Sequence, residues 1–240
     1  MELADAVLRQ IRSHHTFEAC VEQLATAIRL GVFPAGGFLP TERDLAEKLK
    51  VSRATVREAI AALRSAGMVE TVRGRGGGTV VTFTPSGPRP EALEELAGRR
   101  AALRDALTFR RIVEPGAAAV AAGGPLSPAD RALLTDCAAA VADSTDSGAH
   151  RQADSRLHLA IATVTASPMI VDAVTRVQAD LHLMLTSIPV LSANIGHSRR
   201  QHDAVVAAIL AGDAATARRV MEQHCDDTAA LLRGLLGLDP

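Results

Sequence analysis

Tryptophan and tyrosine are absent from these 240 residues, and five phenylalanines make up the whole aromatic content of 2%. So thin an aromatic supply argues against a β-sandwich, and the wealth of Ala, Val and Leu favours closely packed helices. Cysteine is equally scarce. Cys20, Cys137 and Cys225 are odd in number, far apart and without a CxxC pair, which excludes a disulfide scaffold and fits a reducing cytoplasm. No run of about 20 apolar residues occurs, and the opening MELADAVLRQ is acidic where a secretory signal needs a basic start, so neither membrane spanning nor secretion is supported. What is present is ordinary for a folded soluble protein: 48% hydrophobic, 22% charged, and a length that suits one large domain or two smaller ones.

The formal net charge of -1 conceals an asymmetry. Residues 1–84 carry 11 Lys and Arg against 9 Asp and Glu, whereas residues 85–240 carry 15 against 18. Between positions 41 and 75 the basic side chains Arg43, Lys48, Lys50, Arg53, Arg57, Arg64, Arg73 and Arg75 crowd together. A polyanion can use such a stripe, although charge alone points first to a solvated face.

Pro85, Pro88 and Pro90 fall within six residues, which no helix or central strand accommodates, so residues 85–98 read as a linker. Before it, a helix from Phe17 to Leu30 ends at Gly31. Thr41 then caps a second helix, with Asp44 in the capping-box position and Leu45, Ala46 and Leu49 as its buried stripe. Ser52 caps a third, whose apolar positions Val56, Ala59, Ile60 and Leu63 follow helical spacing up to Gly67. Two helices so closely joined form a helix-turn-helix. Val69–Arg73 and Thr79–Phe83 read as strands around the glycine-rich stretch 74–78, a hairpin wing.

Beyond the linker the periodicity is helical, with breaks at Gly123-Gly124-Pro125, Ser144 to Gly148, Ser167-Pro168, Ile188-Pro189 and Gly212-Asp213. The helix beginning near Arg99 is expected to kink or break at Glu114-Pro115-Gly116. The expected fold is therefore mainly α: a winged helix-turn-helix domain in residues 1–84, a linker, and an all-helical bundle in residues 99–240.

Arg53, Arg57 and Arg64 fall within about 40° of one another on a helical wheel, presenting three guanidiniums along one edge. An α-helix fits the major groove, and the arginine fork suits both guanine edges and phosphate oxygens. The run LGVFPAGGFLPTERDLAEKLKVSRATVREAIAALRSAGMVETVRGRG resembles the GntR superfamily of bacterial winged-helix repressors. That resemblance implies a homodimer on a double-stranded, palindromic DNA operator, with contacts from Arg43, Arg53, Thr55, Arg57, Arg75 and Gly76. Ala54 stands where many members have a hydroxyl residue, which removes one polar contact near the helix start.

A second constellation lies in the C-terminal half. Asp154 and His158 are spaced i, i+4 and so share a helix face. If Gly212 closes one helix and Asp213 opens the next, the two form a hairpin with His202 and His224 at nearly equal height, where both can meet Asp154 and His158. One carboxylate and three imidazoles suit a divalent metal: zinc first, nickel or manganese otherwise. Cys225 points about 100° away from His224 and is no co-ligand.

The segments FRRIVEPGAAAVAA, DSRLHLAI and RRQHDAVVAAILAGDAATARRVMEQH resemble the FCD domain, the helical effector domain of the FadR-like GntR branch. This resemblance implies Asp154, His158, His202 and His224 as metal ligands and a small carboxylate effector at the metal. Arg111 and His182 are its candidate pocket residues, with an internal ion pair between Arg111 and Glu114 as the alternative. The function expected is a cytoplasmic transcriptional regulator, a repressor. One alternative keeps the regulator with a purely structural metal and an apolar or acyl effector. Another is a metallohydrolase with a DNA-binding appendage, for which neither HExxH nor a spare acidic residue beside the ligands is evident.

Overall fold

A computed structural model describes residues 16–74, 76–84, 99–144, 147–186 and 192–236. The chain divides into two compact units, Met1–Pro85 and Ser86–Pro240. The expected linker, residues 85–98, lies outside the described residues.

The first unit contains helices α1 (Thr16–Arg29), α2 (Glu42–Leu49) and α3 (Arg53–Ser65). Hydroxyl residues start the last two. Thr41 Oγ1 accepts the Asp44 N–H at 3.2 Å, and Ser52 Oγ accepts the Thr55 N–H at 3.0 Å, each satisfying a donor that a helix start leaves unpaired. Lys50, in the left-handed conformation, closes α2 by donating its N–H to the Ala46 carbonyl. Both α1 and α2 pack on α3. Leu24, Ile28, Leu45, Leu49, Val56, Ile60 and Leu63 form the buried seam between them.

Gly67, at φ 69°, turns the chain into β1 (Val69–Val72), which pairs antiparallel with β2 (Gly78–Val81), Val69 opposite Val81 and Val72 opposite Gly78. The ladder is shorter than the sequence suggests, leaving out Arg73, Thr82 and Phe83. A segment not expected from the sequence joins β2 from its other side. Gly36 N–H donates to the Val81 carbonyl and Leu39 N–H to the Thr79 carbonyl, both at 2.8 Å, and Phe38 bridges Val80. Glycine at 36 and 37 and proline at 40 disguise this strand-like piece as loop.

The second unit contains α4 (Arg100–Gly123), α5 (Pro128–Asp143), α6 (Ser147–Thr163), α7 (Pro168–Leu185), α8 (Ser192–Ala211) and α9 (Ala214–Leu236). Local chemistry sets their ends. Ser127 and Asp130 make a reciprocal capping box at α5, Ser167 caps α7, and Gly212, at φ 78°, precedes Asp213, whose Oδ1 accepts the Thr216 N–H at 3.0 Å. The break expected at Pro115 does not occur: α4 runs unbroken through it. Pro115 is buried, and α4 packs against α6, α7, α8 and α9, so tertiary burial outweighs the lost hydrogen bond and the ring clash, about 3 kcal/mol.

Leu103 and Leu107 of α4, Leu181 and Met184 of α7, and Ala229, Leu232 and Leu236 of α9 form one apolar cluster. Helix α6 packs against α4, α5 and α7, which buries it on nearly every side. Among the described residues, no helix is long and apolar enough to cross a membrane.

Candidate metal centre and nucleic-acid interface

A helix buried all round is ordinarily apolar, yet α6 buries His150, Arg151, Gln152, Asp154, Ser155 and His158. Such a load is costly unless the polar groups find partners. From α6, Asp154 and His158 meet His202 of α8 and His224 of α9, and the four ligand atoms all lie within 4.8 Å of one another. The α8–α9 hairpin, turned by Gly212 and capped by Asp213, brings the two later imidazoles to the same height. His202 Nε2 stands 3.4 Å from His224 Nε2 and 3.4 Å from Asp154 Oδ1. The side chains of His158 and His202 are 1% exposed, and Asp154 is 13% exposed.

The surroundings orient two of the three rings. His224 Nδ1 donates to Gln201 Oε1 at 3.2 Å, which leaves the Nε2 lone pair facing the cluster. Gln201 Nε2 in turn donates to Asp227 Oδ2 at 2.7 Å, and His197 Nε2 reaches the same oxygen at 2.9 Å. His158 Nδ1 lies 3.0 Å from Glu114 Oε2, within ion-pair reach although not aligned for a hydrogen bond, while its Nε2 has no partner among the described residues. A carboxylate or amide behind each imidazole is the usual outer support of metal-binding histidines.

Burial is the largest influence on His202 and His224 and disfavours their charged forms. His202 is lowered to about 4 by burial, with Asp154 opposing and His158 and Arg110 reinforcing the shift. His224 is held well below the ordinary histidine value by burial, then by His202 and Arg110. Both therefore stay neutral near pH 7, as metal ligation requires.

The residues fit a metal on this evidence. Three imidazoles and one carboxylate converge, and the Nδ1–H that His224 donates to Gln201 leaves its Nε2 lone pair to an ion. The two separations of 3.4 Å also match the edge, about 3.3 Å, of a tetrahedron drawn at ordinary zinc–nitrogen bond lengths.

The two neighbouring arginines of α4 lie in different surroundings. Arg111 faces outward and pairs with Asp226 at 2.6 Å and Glu222 at 2.9 Å, its side chain half exposed. It pairs neither with Glu114 nor with the cluster. The buried member is Arg110, 1% exposed, whose Nε donates to Glu114 Oε2 at 2.8 Å. Glu114 also accepts from Gln178 Nε2 at 2.6 Å and from the Cys225 thiol at 3.6 Å. Burial raises the Glu114 carboxyl, but the charge of Arg110 and the nearby His158 outweigh it and hold it well below the usual carboxylate range. His182 is buried in the last turn of α7.

In the first unit the arginines of the helix-turn-helix are exposed. Arg57 Nη2 contacts Glu42 Oε2 at 2.8 Å, and Arg43 Nε contacts Asp44 Oδ1 at 3.3 Å, surface pairs that solvent screening leaves weak. Arg53, at the first turn of α3, makes no ion pair among the described residues. Arg64 is turned to the hairpin, its Nη1 donating to Thr71 Oγ1 at 3.2 Å. The Thr55 hydroxyl is 2.9 Å from that of Ser52. Arg75 lies outside the described residues. Gly76 sits at φ 85° beside Gly77, where an added Cβ would collide with the Val72 carbonyl oxygen.

Residues 16–81 match the family described as bacterial regulatory proteins, gntR family, and residues 105–227 match the FCD domain. The L-lactate dehydrogenase operon regulatory protein of Escherichia coli is 32% identical over 209 residues, 79% of this chain and 76% of that protein. The HTH-type transcriptional regulator RmpR of Mycobacterium gastri is 32% identical over 180 residues, 72% of this chain and 64% of that protein. Among solved structures, Escherichia coli McbR/YncC shares the fold, with a TM-score of 0.53 at 19% identity over 93% of this chain and 99% of that one.

Proposed function

We propose, for a chain that belongs to the gntR family of bacterial regulatory proteins, carries an FCD domain and is therefore a DNA-binding transcriptional regulator and not an enzyme, that a small carboxylate bound at a zinc site in the helical unit sets its operator affinity. The observation that carries this reading is the buried convergence of Asp154, His158, His202 and His224. These four would hold the ion, and a zinc ion with three imidazoles and one carboxylate supplies a Lewis-acidic centre for an oxygen ligand. The relative named for an L-lactate dehydrogenase operon makes L-lactate the first acid to try.

Residues 1–84 are the DNA-binding domain in this reading, 85–98 the linker, and 99–240 the regulatory and dimerising domain. Arg43, Arg53, Thr55 and Arg57, with the wing at Arg75 and Gly76, contact a palindromic operator in the cytoplasm, and the protein acts as a repressor. Support comes from the exposure of the helix-turn-helix arginines and from the low cost of opening the Arg43–Asp44 and Arg57–Glu42 pairs. The exposed apolar side chains Phe109, Ile112 and Val120 on α4 support dimerisation through the second unit.

The test is His202→Ala. It is expected to lower the metal content of the purified protein and abolish the effect of L-lactate on operator affinity, while acid-free operator binding persists. Retention of both metal and response in this variant sinks the reading.

A further inference from the structure

Among the described residues, Arg110 is the least reconciled charge. It is 1% exposed and spends only Nε on Glu114, while Nη1 and Nη2 have no hydrogen-bond partner among the described residues. A guanidinium presents its donors as a rigid planar fork, and leaving two of its nitrogens unpaired in the interior is expensive. Glu114 Oε2 stands 2.8 Å from Arg110 Nε and 3.0 Å from His158 Nδ1, so one carboxylate oxygen joins the buried guanidinium to a member of the ligand cluster. Imidazoles carry no negative charge and the Cys225 thiol is directed to Glu114 at 3.6 Å, so none of these groups offers a negative charge to those nitrogens. Glu114 is already engaged by Arg110 Nε, Gln178 and the thiol of Cys225. With a divalent ion in place the positive charge of Arg110 is still less compensated, since Asp154 is then shared with the metal.

We infer that Arg110 is an anion anchor: its Nη1 and Nη2 donate to an oxygen of a carboxylate ligand held beside the metal ligands. This rests on the carboxylate reading of the site and deepens it. The chemistry selected is an ionised carboxylate, whose oxygens accept two charge-assisted hydrogen bonds, over an amide or ester of the same shape. A donor pair fixed in the interior also discriminates strongly, because a ligand lacking the acceptor leaves the buried nitrogens unpaired.

The experiment uses the full-length, zinc-loaded protein with acetate as the minimal carboxylate, L-lactate as a larger one, and acetamide as the neutral isostere of acetate. Binding is read by calorimetry, zinc content by metal analysis, and operator affinity in parallel. Two variants are compared with the parent chain. Arg110→Lys keeps the charge beside Glu114 and loses the fork, while Arg110→Gln removes the charge, retains a donor for Glu114 and leaves that carboxylate behind His158. Acetate and L-lactate are expected to bind the parent and acetamide not to. Both variants are expected to keep their zinc and to lose carboxylate affinity by about tenfold or more.

Equal carboxylate affinity in parent and variants overturns the anchor and leaves the regulatory reading standing. Loss of zinc from both variants also overturns it, since Arg110 would then serve the ligand set. Arg110-dependent binding that leaves operator affinity unmoved keeps the anchor and removes the regulatory reading. A parent that binds neither acid removes both.

Discussion

At the scale of single residues, the cluster makes stability depend on pH in a direction that can be worked out. His202 titrates at about 4 in the folded chain against 6.5 as an ordinary histidine, so between those values the unfolded chain holds more protons than the native one. Stability from this group is complete above about 6.5 and is lost as pH falls towards 4. His224, lowered for the same reason, adds to the loss. Chelator-treated protein should therefore melt at progressively lower temperature from pH 7 to 6 to 5. A flat melting temperature over that range would contradict neutral burial of these imidazoles. The convergence of Asp154, His158, His202 and His224 was legible from sequence because Asp154 and His158 sit one turn apart and a glycine turn stands between His202 and His224. Arg110 was missed, although its signal was present. The buried stripe of α4 runs Leu103, Leu107, Arg110, Glu114, Ala117 and Ala121, a helical spacing that passes through Arg110 and leaves Arg111 outside. The resemblance pointed to Arg111, whereas the stripe passes through Arg110.

Helix boundaries were legible wherever a cap or a breaker acts locally, since Thr41, Ser52, Ser167, Gly212 and Asp213 need only neighbours within four residues. Errors arose where tertiary packing decides, as in the unbroken α4 across Pro115 and the bridge of Phe38 to Val80. The capping box of α5 offers a clean test at this scale. Ser127 Oγ accepts the Asp130 N–H at 3.2 Å, and Asp130 Oδ2 accepts the Ser127 N–H at 3.0 Å. Ser127→Ala removes the first of these and is expected to cost about 1 kcal/mol of stability, read as a lower urea midpoint with an unchanged slope. The ligand cluster is built on α6, α8 and α9, so metal content should not change. An unaltered midpoint would show that the start of α5 is fixed by packing and not by its cap.

For the molecule as a whole, the two units carry opposite charge excess and different chemistry, and regulation requires that a ligand in one change the affinity of the other. Asp154, His158, His202 and His224 are drawn from three helices, so in the proposed reading a metal held by them ties α6, α8 and α9 together and a carboxylate bound there alters how those helices pack. Coupling of ordinary size, about 1–3 kcal/mol, changes operator affinity by about 5- to 150-fold. Such coupling is reciprocal by thermodynamic necessity. If L-lactate weakens operator binding by some factor, saturating operator DNA must weaken L-lactate binding by the same factor. Titrating the acid calorimetrically into the zinc-loaded protein, alone and with its operator duplex, measures the second factor directly. Titrating operator with and without acid measures the first. The two should agree at a fixed salt concentration, which must be held constant because release of counterions from DNA makes operator affinity strongly salt-dependent. Both factors should collapse to one when the metal is removed by chelation. Persistence of the coupling in metal-free protein would move the switch away from Asp154, His158, His202 and His224.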